Sequence, residues 1–136
     1  RASFRRGDAG ALPADLGRFD VVVLANLLCR LPSPRACLGR MGGPRGLVAP
    51  GGLLVVTTPA TWREEFTPRG AWLGGYEEDG RRVATLDGLH AELDDEFELL
   101  HVEPQPFVLH EHARKFEYVV AEASVWRRRG GDTTAC

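Results

Sequence analysis

The sequence predicts an α/β fold built on a mixed sheet, and three observations lead to it. Residues 21–24 form an unbroken aliphatic run bounded by turn signals, which is typical of a strand buried on both faces of a parallel sheet. Residues 53–56 form a second run, and the helical segment between the two predicts a right-handed βαβ crossover with parallel strands. Two later strands, at residues 97–102 and 115–126, are joined by a connection too short for a helical crossover, so they pair antiparallel.

Length and composition bound the class of protein. The chain has 136 residues and a net charge of −2, which fits one small domain and argues against nucleic acid or an anionic membrane as the main partner. No apolar run approaches the roughly 20 residues of a transmembrane helix. We therefore expect a cytoplasmic protein.

The cysteines and histidines do not predict a metal site. Cys29, Cys37 and Cys136 lack the spacing of metal ligands or of a disulfide framework, and the first two are expected to be small core residues. His110 and His112 would share one face of an extended strand, but no third ligand is evident, so we expect no metal.

The first polar residues after predicted strands are the candidates for a site. A strand over residues 2–7 would place Asp8 at its carboxyl end, although an aspartate after glycine also forms turns. Asn26 follows the run at residues 21–24. Ligands of parallel α/β sheets bind beyond the carboxyl ends of the strands, so Asn26 is a candidate site residue; the alternative is that it only ends the strand.

The middle of the chain predicts one helix and a tight turn. Ser33 is expected to cap the helix and Pro34 to occupy its first position, and the segment at residues 42–44 must end it. Residues 50–52 are expected to form a tight turn before the second strand, which ends at residues 57–59.

Residues 60–82 lack periodicity but carry Trp62, Phe66, Trp72 and Tyr76. A long segment of this kind is often a lid or binding loop, and a surface insertion is the alternative.

The last third predicts a helix and two strands. Thr85 is expected to cap the helix, whose apolar side is formed by leucines at helical spacing. Pro104 and Pro106 are expected to interrupt the next strand and lead into a loop over residues 107–114. We expect Trp126 to lie in the core and the arginines at residues 127–129 to be solvated. The domain would span residues 1–129, with a disordered tail at residues 130–136.

Parallel strands joined by helices and closed by a terminal antiparallel hairpin resemble the C-terminal half of a class I S-adenosylmethionine-dependent methyltransferase. FRRGDAGALP is similar to that family's third strand, FDVVVLANLL to its fourth, and LVAPGGLLVVTTP to the passage into its fifth. The fold implied is the C-terminal part of a Rossmann-like mixed sheet. The family's first two strands, with its glycine-rich donor turn and acidic ribose-binding residue, are missing from this chain.

Four stretches resemble a narrower group, the C-terminal mercaptohistidine N-methyltransferase domain of ovothiol-biosynthesis proteins. They are ANLLCRLPSPRA, APGGLLVVTTPATWREEFTPRGAWLGG, TLDGL and ARKFEYVVAEASVWRR. The resemblance implies S-adenosylmethionine as cofactor, a thiolated histidine as substrate, and an upstream sulfoxide synthase domain in the same polypeptide as partner. Without the donor turn, we expect the chain alone to be inactive, to bind S-adenosylmethionine weakly, and to self-associate through the open edge of its first strand.

The resemblance also implies roles for single residues. Asp8 would face the adenine amino group, Ala9 would offer a backbone contact, and Asn26 would lie near the donor and the acceptor. Methyl transfer to an imidazole nitrogen needs alignment, and a hydrogen-bond acceptor at the other ring nitrogen would fix the tautomer. Among residues near the expected strand ends, this chemistry points to Asn26, Glu64 and Glu65 as catalytic candidates.

An amino-acid substrate also carries a carboxylate, for which Arg69, Arg114 and Lys115 are the candidate partners. Two other functions stay open from the sequence. One is a non-catalytic methyltransferase-like module that packs against a synthase domain or mediates dimerisation. The other is a fragment of a nicotinamide-dependent dehydrogenase, which fits the βαβ unit but not the terminal hairpin.

Overall fold

The computed structural model describes residues 1–130 and confirms the mixed α/β sheet with its terminal antiparallel hairpin. The residues of the predicted tail beyond Gly130, Cys136 among them, lie outside this range. Within it, the strands are β1 (Phe19–Ala25), β2 (Val48–Thr58), β3 (Tyr76–Glu78), β4 (Arg81–Val83), β5 (Phe97–His112) and β6 (Lys115–Arg128), and the α-helices are α1 (Pro34–Gly39) and α2 (Thr85–Leu93).

The main sheet has four strands in the order β1-β2-β6-β5. Strands β1 and β2 run parallel, as the sequence predicts, whereas β6 is antiparallel to both β2 and β5. Strands β3 and β4 form a separate antiparallel pair. Strand β1 therefore lies at one edge of the main sheet and β5 at the other.

The two faces of the main sheet differ in what covers them. On the covered face, Leu54 and Trp126 are fully buried and share one core cluster with residues of both helices. On the open face, Val21 and Val23 are 52% and 58% exposed. The prediction that residues 21–24 are buried on both faces is wrong for the part of the chain described here, because no element of that part packs on the open face.

The predicted strand at residues 2–7 is also wrong. Phe4 is 94% exposed, and residues 1–8 adopt no regular structure. A strand needs a partner for its backbone N–H and C=O groups, and none of the described strands pairs with this segment. Asp8 instead closes a turn, in which its Oδ1 accepts a hydrogen bond from the Gly10 N–H at 2.8 Å.

The first helix begins and ends as predicted. The Ser33 Oγ accepts from the Ala36 N–H at 3.3 Å, Pro34 opens the helix, and the helix stops at Gly39, before residues 42–44. Residues 50–52, by contrast, lie inside β2. They form a bulge, since Phe19 pairs with Val48 but Val21 pairs with Leu53.

Two tryptophans attach the segment at residues 60–82 to the core, so the lid interpretation is wrong for these two side chains. Trp62 is buried and its indole N–H donates to the Thr85 Oγ1 at 3.0 Å. Trp72 stacks on Trp62 with 6.5 Å between ring centroids, and its own N–H donates to the Thr67 carbonyl at 2.8 Å. Thr85 is the first residue of α2, where it contacts this segment; the residue that caps α2 is Ala84, so the predicted capping role of Thr85 is wrong.

The two prolines do not interrupt β5. The strand runs through Pro104 and Pro106 to His112, and only residues 113 and 114 separate it from β6, so the loop predicted over residues 107–114 is wrong. Because β5 is an edge strand, alternate backbone N–H groups face away from the sheet and proline is tolerated there. The two prolines are two residues apart in an uninterrupted part of the pairing, so their backbone nitrogens face the same side of β5, as tolerance at an outer edge requires.

The last pair of strands extends beyond the sheet as an arm. Strand β2 stops pairing at Thr58 opposite Glu122, so residues 105–121 of β5 and β6, which we call the hairpin arm, pair only with each other. Further along β6, Trp126 is core as predicted, but Arg128 is buried rather than solvated. Its guanidinium donates to the carbonyls of Val48 and Gly43.

Candidate functional site

Asn26 stands immediately beyond the carboxyl end of β1 in a backbone conformation that few residue types adopt. Its φ is +51°, in the left-handed region that asparagine tolerates better than most side chains. The Asn26 N–H donates to the Thr57 carbonyl at 2.9 Å and also lies 3.1 Å from the Thr57 Oγ1. This backbone reversal turns the side chain away from the strand while the main chain stays attached to β2.

The Asn26 carboxamide is held by one side chain. The Thr57 hydroxyl donates to its Oδ1 at 3.0 Å. Within residues 1–130, no protein acceptor lies within hydrogen-bond distance of its Nδ2. Both amide N–H groups of Asn26, and the second lone pair of its oxygen, are therefore available to a ligand.

Two cavities meet at Asn26. The first, which we call the hairpin cavity, has a volume of about 500 Å³ and lies between the segments that follow β1 and β2 and the hairpin arm. Its charged lining residues are Arg30, Arg63 and Glu117. The cavity borders the edge of β6 that β2 no longer pairs with, because residues 117–120 of the arm contribute to its wall.

The second cavity, which we call the open-face cavity, has a volume of about 310 Å³ and lies on the uncovered side of the sheet. Its floor is apolar, from Val55 of β2 with Ala123 and Val125 of β6. Asn26 and Phe107 line both cavities, so they form the boundary between them.

The structure does not bring the other predicted catalytic and cofactor residues to Asn26. Asp8 is exposed and engaged in its turn, and Ala9 is half-buried against the core. Glu64 and Glu65 are exposed on the segment after β2, and neither lines a cavity at Asn26. Glu65 faces Arg63, with 3.5 Å between the nearest oxygen and nitrogen.

The three predicted carboxylate partners also lie elsewhere. Arg69 lines a different cavity, of about 440 Å³, and its guanidinium lies 5.7 Å from the Trp72 ring centroid. Arg114 and Lys115 are exposed at the tip of the hairpin arm. Lys115 is eight residues along β6 from Ala123, the pairing partner of Thr57, which corresponds to about 26 Å of extended strand.

The charged groups that do line the hairpin cavity were missed by sequence reasoning. Arg30 lies in a 3₁₀ turn after β1, and Arg63 follows β2, so both come shortly after strand ends. A position shortly after a strand end is the same sequence signal that identified Asn26 as a candidate site residue, and it could have identified both arginines. Glu117 reaches the cavity only because β5 and β6 continue past the sheet, which no local pattern indicates.

Three solved structures share the fold of this chain at low sequence identity. A structure concerning the conversion of a disulfide bond into a thioacetal group during echinomycin biosynthesis superposes with a TM-score of 0.57 at 16% identity, covering 93% of this chain and 56% of that one. The N-methyltransferase NodS from Bradyrhizobium japonicum WM9, in complex with S-adenosyl-L-homocysteine, gives a TM-score of 0.52 at 18% identity, with coverages of 90% and 52%. A S-adenosylmethionine-dependent methyltransferase from Methanosarcina mazei gives 0.58 at 14% identity, with coverages of 96% and 68%.

The chain has the class I methyltransferase fold. It spans little more than half the length of the first two structures, 56% and 52%. Comparison of the sequence with protein-family models and with curated proteins gives no match. None of the helices within residues 1–130 is long and apolar enough to cross a membrane.

Proposed function

We propose that this chain is the acceptor-side part of an S-adenosylmethionine-dependent N-methyltransferase that methylates the imidazole of a thiolated histidine, within a longer polypeptide. The observation that carries the proposal is Asn26, a fixed carboxamide at a strand end that separates two cavities. Methyl transfer requires a donor and an acceptor held side by side in the correct orientation, and Asn26 lies at the boundary of two cavities that could hold them.

The residues present fit a methyl donor on one side of this boundary. S-adenosylmethionine supplies an activated methyl group on a sulfonium. The apolar floor of the open-face cavity is suited to the uncharged parts of the donor, and the free N–H groups of Asn26 are suited to a carboxylate or hydroxyl of the bound donor. Thr57 keeps the carboxamide oriented, so the Asn26 side chain loses little freedom when a ligand binds.

Two independent lines support the substrate assignment. The N-methyltransferase NodS shares the fold, which favours nitrogen as the methyl acceptor. The sequence resemblance to mercaptohistidine N-methyltransferase domains favours a thiolated histidine. The Thr57 hydroxyl takes up one lone pair of the Asn26 carboxamide oxygen, which favours another residue as the hydrogen-bond acceptor toward the imidazole.

The test is methyl transfer by the intact protein, followed as S-adenosyl-L-homocysteine formation with thiolated histidine as acceptor. We expect turnover in the wild type and a loss of roughly 10- to 100-fold in kcat for Asn26→Gly. Glycine is the matched substitution because it accepts a φ of +51° without strain while removing the carboxamide with its methylene. Thr57→Val, which frees the Asn26 carboxamide, should give a smaller loss. Wild-type kinetics in Asn26→Gly would show that Asn26 is not part of the site.

A second function is favoured by the open face of the sheet. A non-catalytic module would use Val21, Val23 and the free edge of β1 to pack against a sulfoxide synthase domain. The same assay separates the two proposals. A packing module shows no S-adenosyl-L-homocysteine formation in the intact protein, and its Val23→Lys variant lowers the stability of the intact protein.

A further inference from the structure

The hairpin cavity is lined by charges of both signs. Arg30 and Arg63 line it from the segments that follow β1 and β2, and Glu117 lines it from the hairpin arm. The two arginines and the glutamate thus belong to different elements around one space. This arrangement suits a small molecule that itself carries a carboxylate at one end and N–H groups at the other.

Neither arginine is committed to a strong protein partner. The Arg30 guanidinium lies 4.7 Å from the centroid of the Phe66 ring, which orients it without using its N–H donors. The Arg63 contact with Glu65, at 3.5 Å between groups that are both 60% exposed, is too long and too solvated to hold the side chain. Both guanidinium groups are therefore available to a ligand carboxylate.

Glu117 is similarly available, because the one lysine of the sequence is bonded elsewhere. The Lys115 ammonium lies 2.7 Å from the Glu111 carboxylate, and this hydrogen bond is the main reason that the pKa of Lys115 is raised; the charge of Glu117 is a smaller cause of the same shift. Among residues 1–130, Glu117 forms no ion pair within 4 Å. Its carboxylate therefore keeps its hydrogen-bond acceptors for a ligand in the cavity.

We propose that the acceptor amino acid binds in the hairpin cavity with its α-carboxylate on Arg30 and Arg63 and a ring N–H on Glu117. This inference rests on the proposed methyltransferase function. It moves the substrate carboxylate from Arg69, Arg114 and Lys115 to two arginines that share a cavity with Asn26.

The role of Glu117 follows from the charge that develops on the ring. The unprotonated ring nitrogen forms the new N–CH₃ bond with its lone pair as the S–CH₃ bond breaks, releasing the donor's sulfur as an uncharged thioether. The ring then carries a positive charge, and its remaining N–H proton passes to the Glu117 carboxylate and on to solvent, leaving a neutral methylated ring. Before transfer, the same hydrogen bond fixes which nitrogen has the free lone pair.

Binding and turnover in the intact protein test the two walls separately. Calorimetric titration of thiolated histidine, without donor, should show a loss of roughly 10- to 100-fold in affinity for Arg30→Ala and for Arg63→Ala. Thiolated histamine, which lacks the carboxylate, should bind all three proteins alike. Arg81→Ala is the matched control, because it removes an exposed arginine that lines none of the cavities described above.

Glu117→Gln should leave the affinity within about threefold, lower kcat by about 100-fold, and abolish the fall in kcat at acidic pH that protonation of a carboxylate causes. Methylation with unchanged affinity in both arginine variants would overturn the cavity assignment and leave the proposed function standing. Loss of affinity in those variants, with no methyl transfer by the wild type, would overturn the proposed function and leave the binding site in the hairpin cavity standing. A loss in Arg69→Ala alone would return the carboxylate to the site predicted from sequence.

Discussion

The two faces of the main sheet are built from alternate residues of the same strands, yet they behave as different surfaces. Leu54, on the covered face, is fully buried, while its neighbour Leu53 on the open face is half-exposed. A strand's side chains alternate between faces, so burial here is decided by what lies above each face and not by hydrophobicity. The comparison teaches that the open face combines apolar side chains with exposure, the combination that predicts an interaction surface when the side chains are contiguous.

The largest effect is expected from truncating the two leucines in turn. Leu54→Ala removes a side chain from the core cluster and should lower the free energy of unfolding by about 2–5 kcal/mol. Leu53→Ala removes the same atoms from the open face and should cost about 1 kcal/mol. Urea denaturation followed by circular dichroism measures both. Equal losses in the two variants would mean that the open face is covered in solution.

A second prediction concerns association of the isolated chain. Strand β1 presents a free edge flanked by Val21 and Val23, so we expect the chain to self-associate there. Val23→Lys should weaken association by at least about tenfold, because it places a charge at that contact, and should leave unfolding unchanged. Sedimentation velocity measures the shift. Val108→Lys, at an equally exposed valine of the hairpin arm, is the matched control; dissociation by that variant alone would assign the contact to the arm.

A third prediction is chemical and concerns the covered side. Cys29 and Cys37 are buried, and burial raises the pKa of the Cys37 thiol, so the reactive thiolate is disfavoured. In a Cys136→Ser background, both thiols should react with a disulfide reagent at least roughly 100-fold more slowly than in urea. Absorbance of the released thiolate measures the rate. Rapid labelling without denaturant would show that the core cluster opens easily.

The parts of the fold that the sequence predicted are those in which local signals and packing agree. Ser33 and Pro34 define the start of α1, and Asn26 ends β1, because capping and turn preferences act over one to four residues. The hairpin of β3 and β4 carried an equally local signal that was overlooked. Its turn residues Asp79 and Gly80 both have positive φ, at 50° and 73°, and Asp-Gly is a strong signal for such a turn.

The rest depends on contacts between distant parts of the chain. Trp62 and Trp72 look like exposed ligand-binding aromatics in sequence, but their indole N–H groups find partners at Thr85 and Thr67, and this holds the segment on the core. Arg128 is buried because two carbonyls, some 80 residues earlier in the chain, accept its hydrogen bonds. Pairings at such separations cannot be derived from periodicity.

The two prolines of β5 give the molecule an asymmetry that matters for assembly. Pro104 and Pro106 cannot offer an outward N–H, so this edge is a poor template for an incoming strand, whereas the β1 edge has no proline at all. A sheet that can lengthen at only one edge cannot grow into a fibre. If two copies pair through their β1 edges, neither copy has an unpaired β1 edge left. Strand addition then stops at a dimer with two-fold symmetry.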